Sequence, residues 1–480
     1  MKAAILRRYF KGAMLTGWLW RAIFAVMLLA AAGSAFAQES APKVTAAESK
    51  AVVEKIASML AENYVFPEAA KQSGDYLKKR LKDGAYNQIG DPLAFAEQLT
   101  GDLQSVNKDK HMRVRVLPAE VAAQEREDPL IANLKQLRRN ASNNRGFRQL
   151  QIFDGNVGYL DLRGFPPAFI AREKAASAMQ FLEDADAIIF DLRQNGGGNP
   201  DLIQYICSYF FEHPTHLNSI YRRKGDRTEE FWTLERVEGK KRPEVPVFIL
   251  TSDFTFSGGE EFAYNFKTRQ RATLIGETTG GGANPGGMFP VNERFGIFIP
   301  TGRAINPVTG VNWEGVGVEP DIKVPAEQAL DIALEKAREA AEAYRQTQEA
   351  QQIALLKGLR DDLDRAGELL AKNQQAEAEA LANAALKRGL EADLLNEMNI
   401  NLLGYDYLQR KAYPAAIAVF KFNAAQYPRS SNVYDSLGEA YMENGDKALA
   451  VENYQKSLEL DPQNRNAREM LARLGAPVNN

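Results

Sequence analysis

A chain of 480 residues is longer than one ordinary domain, and length alone suggests roughly three. Apolar residues make up 45% and charged residues 25%, so packed cores are within reach along the whole chain. The net charge of −3 carries no basic bias, which argues against nucleic acid or an anionic membrane surface as the main partner.

The first residues read as a targeting segment. Lys2, Arg7, Arg8, Lys11 and Arg21 form a positive leader, Ala22 to Ala32 is apolar, and Ser34-Ala35-Phe36-Ala37 precedes Gln38. That pattern describes a secretory signal peptide over 1–37, cleaved after Ala37, and the apolar run is short for a membrane span. The rival reading is an uncleaved anchor. Export to the periplasm or the extracellular space is the expectation. Cys207 is the only cysteine, so neither an internal disulfide nor a thiolate metal site is expected. In the apolar stretch 202–211 it reads as a small buried hydrophobe.

Residues 38–118 read as a helical subdomain. Val52, Ile56, Met59 and Leu60 recur at helical spacing, as do Leu77, Leu81, Phe95 and Leu99. Val114 to Leu117 alternates with arginine and predicts a strand. Residues 119–146 are polar and charged, as in a linker or surface excursion. Strands and helices then alternate through 147–330. Strands are predicted at 157–162, 187–192, 247–251, 274–275 and 297–299, with helices at 171–183, around Cys207, and from Ser257 to about Lys267. Repeated strand–turn–helix units predict an α/β layered core.

From Ala326 the pattern is helical to the end, with 331–394 as a connector and a repeat over 395–475. Gly404 and Gly438, Tyr407 and Tyr441, Ala416 and Ala450, Phe420 and Tyr454, and Pro428 and Pro462 are each separated by the same interval of 34 residues. This period resembles the tetratricopeptide repeat, a helix–turn–helix unit. A degenerate third unit over 361–394 keeps only Ala382 and Leu386 in register.

Ser257, in Thr255-Phe256-Ser257-Gly258-Gly259-Glu260-Glu261, follows a buried strand and opens a helix. Free N–H groups and the positive end of the helix dipole at such a point suit an acyl-transfer nucleophile and the oxyanion formed on attack. The same Ser-x-x-Glu spacing is a capping box, so a plain helix cap is the alternative. Asp191-Leu192-Arg193-Gln194-Asn195-Gly196-Gly197-Gly198 is a second candidate, a glycine turn able to present N–H groups to an anion. No Lys-Ser or Lys-Thr follows it, so it is not a phosphate loop.

A serine needs a base. His213 and His216 flank Pro214 and suit a turn or surface role, whereas His111 stands at the junction of the helical region and a predicted strand. Glu314 is the carboxylate candidate for orienting an imidazole, with Glu319 and Asp321 as rivals in the same segment.

Together these segments resemble the serine peptidase family of the C-terminal processing (tail-specific) proteases, the tricorn protease core and the interphotoreceptor retinoid-binding protein repeats. The likeness is carried by Gly158-Tyr159-Leu160-Asp161-Leu162, Asp191 to Gly197, Thr255 to Glu260 and Trp313 to Asp321. Glu62 to Pro67 and Asp109-Lys110-His111 carry it into the N-terminal part. The resemblance implies a crotonase-like α/β core with a helical N-terminal subdomain, followed here by the all-α tetratricopeptide-like C-terminal domain. It places the nucleophile at Ser257 and the oxyanion donors at Gly258 and at Gly196 or Gly197.

Processing proteases use a Ser/Lys dyad, but the stretch Glu277 to Asn284 holds no lysine. A tricorn-like relay fits instead, with His111 as base and Glu314 orienting it. Lys110 stands where the tricorn core has a serine. No PDZ domain fits within 119–146. The resulting expectation is an endopeptidase for peptides or unfolded proteins that needs no metal or cofactor. Its alternative is a binding protein for an apolar ligand or protein partner on the same scaffold. The C-terminal repeats are expected to bind protein, whether substrate, partner or a second copy of the chain.

Overall fold

The computed structural model describes residues 42–117 and 128–477, so the expected signal peptide lies outside the described residues. No helix among the described residues is long and apolar enough to cross a membrane.

Three helices open the chain: α1 (Ala46–Asn63), α2 (Pro67–Lys82) and α3 (Pro92–Asn107). Thr45 starts α1 by accepting the Glu48 N–H at 3.1 Å, and Asp91 starts α3 by accepting that of Ala94 at 2.7 Å. Their apolar faces, including Ile56, Leu60, Leu77 and Phe95, close over Phe295, Ile297 and Ile299. A three-stranded sheet fastens this bundle to the later chain. β1 (Arg113–Val116) runs antiparallel to β10 (Phe295–Pro300), which pairs with β9 (Gly286–Pro290). The pairing explains how residue 111 can meet a core built from residues after 147.

The excursion at 119–146 contains a helix, α4 (Pro129–Ser142), capped by the Asp128 carboxylate on the Leu130 N–H at 2.7 Å. Leu130, Ile131 and Leu134 are exposed on it. The Asp-Pro start and the spacing of Leu130, Leu134 and Leu137 are its sequence signature, masked by the polar run that follows.

The central sheet has the order β12-β8-β7-β4-β3-β2. Its strands are β2 (Phe147–Phe153), β3 (Val157–Leu162), β4 (Ala187–Asp191), β7 (Val247–Thr251), β8 (Thr273–Gly276) and β12 (Ile322–Lys323). Only β2 is antiparallel to its neighbour. β3, β4 and β7 are buried at every residue because both faces are covered. One face carries α5 (Ala168–Phe181), α6 (Pro200–Cys207) and α7 (Gly258–Lys267). On the other, Ala329, Ala333, Ala337 and Ala341 of α8 (Ala329–Ala371) lie against Tyr159, Ile189 and Leu250. Cys207 is fully buried, as its apolar surroundings predict. A third sheet joins β5 (His216–Arg222), β6 (Arg227–Trp232) and β11 (Gly302–Ile305). Its charged, half-exposed strands carry too weak an apolar period to be read from sequence.

The remainder is all helical: α9 (Gln375–Glu391), α10 (Glu397–Gln409), α11 (Tyr413–Gln426), α12 (Ser431–Asn444), α13 (Lys447–Leu460) and α14 (Arg465–Arg473). The repeated glycines have a steric reason. A Cβ on Gly404 would come within 2.5 Å of the Phe420 ring, and one on Gly438 within 3.1 Å of Tyr454. An aromatic ring of each second helix therefore lies on the backbone of the first. Ala382 and Leu386 share a core with Leu359 and Leu363 of α8 and Phe420 of α11.

Candidate active site

Ser257 sits between β7 and α7 with φ 54° and ψ −118°, a conformation sparsely populated by L residues. The surrounding backbone fixes that turn. The Ser257 N–H donates to Glu260 at 2.8 Å, within a capping box, and the Phe256 N–H donates to the Asn195 carbonyl at 3.0 Å. Glu260 is fully buried and also accepts from Thr279 Oγ1 at 2.5 Å and from the N–H groups of Gly281 and Gly282 at 2.6 and 2.8 Å. Burial raises its carboxyl pKa, and these donors act in the opposite direction. One carboxylate thus ties the serine turn to the glycine stretch 280–282. The cap and nucleophile readings of Ser257 are compatible, because the cap leaves the residue at the cleft.

The glycine turn after β4 lies directly against Ser257. A Cβ on Gly197, whose φ is 101°, would come within 2.8 Å of both the Gly258 nitrogen and Ser257 Cβ. Only a glycine permits that approach. Asn195, fully buried, holds the turn: its amide donates to the Leu162 carbonyl at 2.7 Å, and its Oδ1 accepts the Gly197 N–H at 2.8 Å. The Gly197 N–H is therefore engaged, whereas Gly196 and Gly198 line the cleft beside Ser257.

His111 reaches the same cleft from the N-terminal part. Its ring lies 4.6 Å from that of Phe256 and 5.6 Å from that of Phe298. Burial first, and Arg113 second, push its pKa down to about 4, so the imidazole is neutral at neutral pH. Its Nδ1 is buried without a hydrogen-bond partner. Among the described residues no hydrogen bond joins His111 to Ser257.

Behind His111 stand two carboxylates. Ligand atoms of Asp109, His111 and Glu314 all lie within 4.8 Å of one another. Asp109 accepts the His111 N–H at 3.1 Å, the Tyr64 hydroxyl at 3.2 Å and the Asn284 amide at 3.0 Å. Glu314 accepts the N–H groups of Lys110, Ala283 and Asn284 at 3.3, 2.6 and 3.1 Å. Burial raises the pKa of both carboxyls, and the charge of Asp109 raises that of Glu314 further. The trio is the one place among the described residues where His, Cys, Asp and Glu gather as metal ligands would. Their carboxylate oxygens, however, are already committed to N–H and O–H donors.

The rival candidates lie elsewhere. Glu319 pairs with Lys323, while Asp321 accepts the Leu274 N–H at 2.8 Å and pairs with Lys267. His213 is exposed, and His216 stacks on Trp232 with its Nε2 at 2.9 Å from Ser219 Oγ. Lys110 donates its Nζ to the Gly280 carbonyl at 2.6 Å. The glycines at 280–282 have their own reason. A Cβ on Gly282 would strike the Phe256 ring at 2.2 Å and His111 at 2.7 Å. Sequence reading missed Asp109, Asn195 and Phe256 as site residues, and Glu260 beyond its cap. Their neighbourhood in the motifs was the only signal, since each acts through contacts distant in the chain.

Ser257, His111, Gly196 and Gly198 thus share one cleft of about 660 Å³. A strained serine at a helix start, a neutral imidazole and a buried carboxylate behind it form a set suited to acyl transfer.

Residues 156–324 match peptidase family S41, and residues 37–145 match the N-terminal domain of Peptidase S41 in eukaryotic IRBP. A carboxy-terminal-processing protease of Bartonella bacilliformis is 25% identical over 36% of this chain and 39% of its own length. A carboxyl-terminal-processing protease of Synechocystis sp. is 30% identical over 32% of this chain and 34% of its own length. The chain therefore spans well under half the length of these curated relatives. Among solved structures, a photosystem II D1 C-terminal processing protease matches 61% of this chain and 96% of its own, with 14% identity and a TM-score of 0.39.

Proposed function

We propose that this chain, which belongs to peptidase family S41, is an exported serine endopeptidase acting on peptides or unfolded proteins. Ser257 attacks the peptide carbonyl and His111 takes its proton. Glu314 holds the imidazole and offsets its charge once it is protonated. The N–H of Gly258 and that of Gly196 receive the oxyanion, because the Gly197 N–H is given to Asn195. His111 then passes the proton to the leaving amine, and water repeats the sequence on the acyl-enzyme.

The observation that carries the reading is the strained φ of 54° at Ser257, held in a cleft that His111 also lines. Backbone strain at a strand-to-helix turn persists only where surrounding bonds enforce it, and it exposes a serine hydroxyl to substrate. Catalytic hydrogen bonds commonly tighten only when substrate arrives, so the open Ser257–His111 pair agrees with this reading. The basic leader of the first 37 residues supports export. Residues 147–330 serve as a crotonase-like catalytic core and 38–118 as the subdomain that supplies the base. Residues 331–394 form a connector, and the tetratricopeptide-like repeats at 395–475 engage protein. The identical interval between α10 and α12, and between α11 and α13, supports the repeat reading.

Labelling with a fluorophosphonate tests the mechanism. Wild type should label and Ser257→Ala should not; equal labelling of the two would sink the assignment.

A further inference from the structure

The cleft beside Ser257 carries a charge pattern that peptide hydrolysis itself does not require. Arg113 and Arg115 project from β1 into it, while Val114 between them is buried in the apolar core beneath. Arg113 and Arg115 therefore stand on one side of β1, about 7 Å apart, just beyond the turn that holds His111. The Arg115 side chain has no ion pair or hydrogen bond among the described residues, and that of Arg113 is bonded only to the Lys110 carbonyl, at 3.0 Å. Lys110 adds a third cation to the lining, against the single carboxylate of Asp253. Phe256, Phe298 and Met288 form an apolar wall close to Ser257 and His111. In the register of β1, Arg113 faces Phe298, and Met288 pairs with Phe298 from β9, so cations and apolar side chains share one sheet face.

We propose that the cleft selects acidic peptides: a large apolar side chain at the cleaved position, with carboxylates two and four residues to one side of it over Arg113 and Arg115. The proposal rests on the serine peptidase reading for cleavage but not for binding. An extended peptide repeats its same-side groups at the same interval as β1, so two carboxylates can meet two guanidiniums together. Guanidinium suits this role because it binds carboxylate through two parallel N–H donors.

Binding to Ser257→Ala separates the proposal from the mechanism. Six labelled peptides share a central Phe and differ only at the residues two and four positions away from it, which are Asp, Gln or Lys, on the N-terminal side in three and on the C-terminal side in three. Fluorescence anisotropy should give about tenfold tighter binding for Asp than for Lys at low salt, with the ratio collapsing as screening shortens to about 8 Å near 0.15 M and beyond. The Arg113→Glu/Arg115→Glu variant should invert the order, and Arg115→Gln should reduce it. An Asp-to-Lys ratio near one at low salt, a ratio unmoved by the charge reversal, or no binding of any peptide overturns the proposal. Acid-selective binding without cleavage by wild type would leave it standing and defeat the peptidase reading instead.

Discussion

Ser257 and His111 are held by opposite means. Around the serine, main-chain groups of three segments are locked together: Glu260 accepts four donors, Asn195 bridges β3 to the glycine turn, and Gly197 lies so close that a Cβ on it would meet the Gly258 nitrogen and Ser257 Cβ. Around the histidine, the backbone is fixed by Asp109 but the ring is held by aromatic packing, and its Nδ1 has no partner. Buried main-chain hydrogen bonds set position within tenths of an ångström, whereas ring packing leaves rotation open. On the proposed mechanism the nucleophile and oxyanion side is therefore preformed, and the base side is what substrate completes. A ring nitrogen of His111 and an oxygen of each of the two carboxylates lie within 4.8 Å of one another.

The largest expected effect breaks the serine side outright. Ser257→Ala should lower kcat on the order of 10⁴ to 10⁶-fold, read by peptide turnover, with folding intact by circular dichroism. Next comes the base. His111→Ala should cost on the order of 10² to 10⁴-fold and remove the acid limb of the pH profile. Because burial holds the folded pKa near 4, His111 is deprotonated above that value, so kcat/KM should rise through about pH 4 and again near 7, where burial and Asp109 place the ionisation of Glu314. Glu314→Gln should lose the upper limb; a limb near the free histidine value of about 6.5 that survives in that variant would show that burial does not control the base.

A third variant attacks position rather than chemistry. Gly197→Ala places a methyl 2.8 Å from the Gly258 nitrogen at φ 101° and should cost about 10²-fold in turnover and several degrees of melting temperature. Gly196→Ala, with nothing within 4 Å of its Cβ, should melt like wild type. Equal melting temperatures for the two variants would contradict a preformed serine side. The smallest effect lies outside the site. Gly404→Ala pushes a methyl onto the Phe420 ring and should destabilise the helical region by about 1–3 kcal/mol in denaturant melts, with fluorophosphonate labelling unchanged.

Local chemistry made much of this legible. The buried runs at 157–162, 187–191 and 247–251, the helix from Gly258 to Lys267 and the repeat at 34 residues follow from apolar pattern and glycine spacing, which any segment carries in itself. Ser257 could be named for the same reason, as a serine between a buried strand and a helix. Tertiary structure decided what depends on partners far along the chain. The pairing of β1 with β10 brings His111 to Ser257, and Asp109 joins Glu314 across 205 positions of sequence. The Gly197 N–H is given to Asn195, and a Cβ on Gly282 would strike Phe256 and His111. Such contacts leave no periodicity to read, because their energy comes from close approach between segments and not from the order of residues within one.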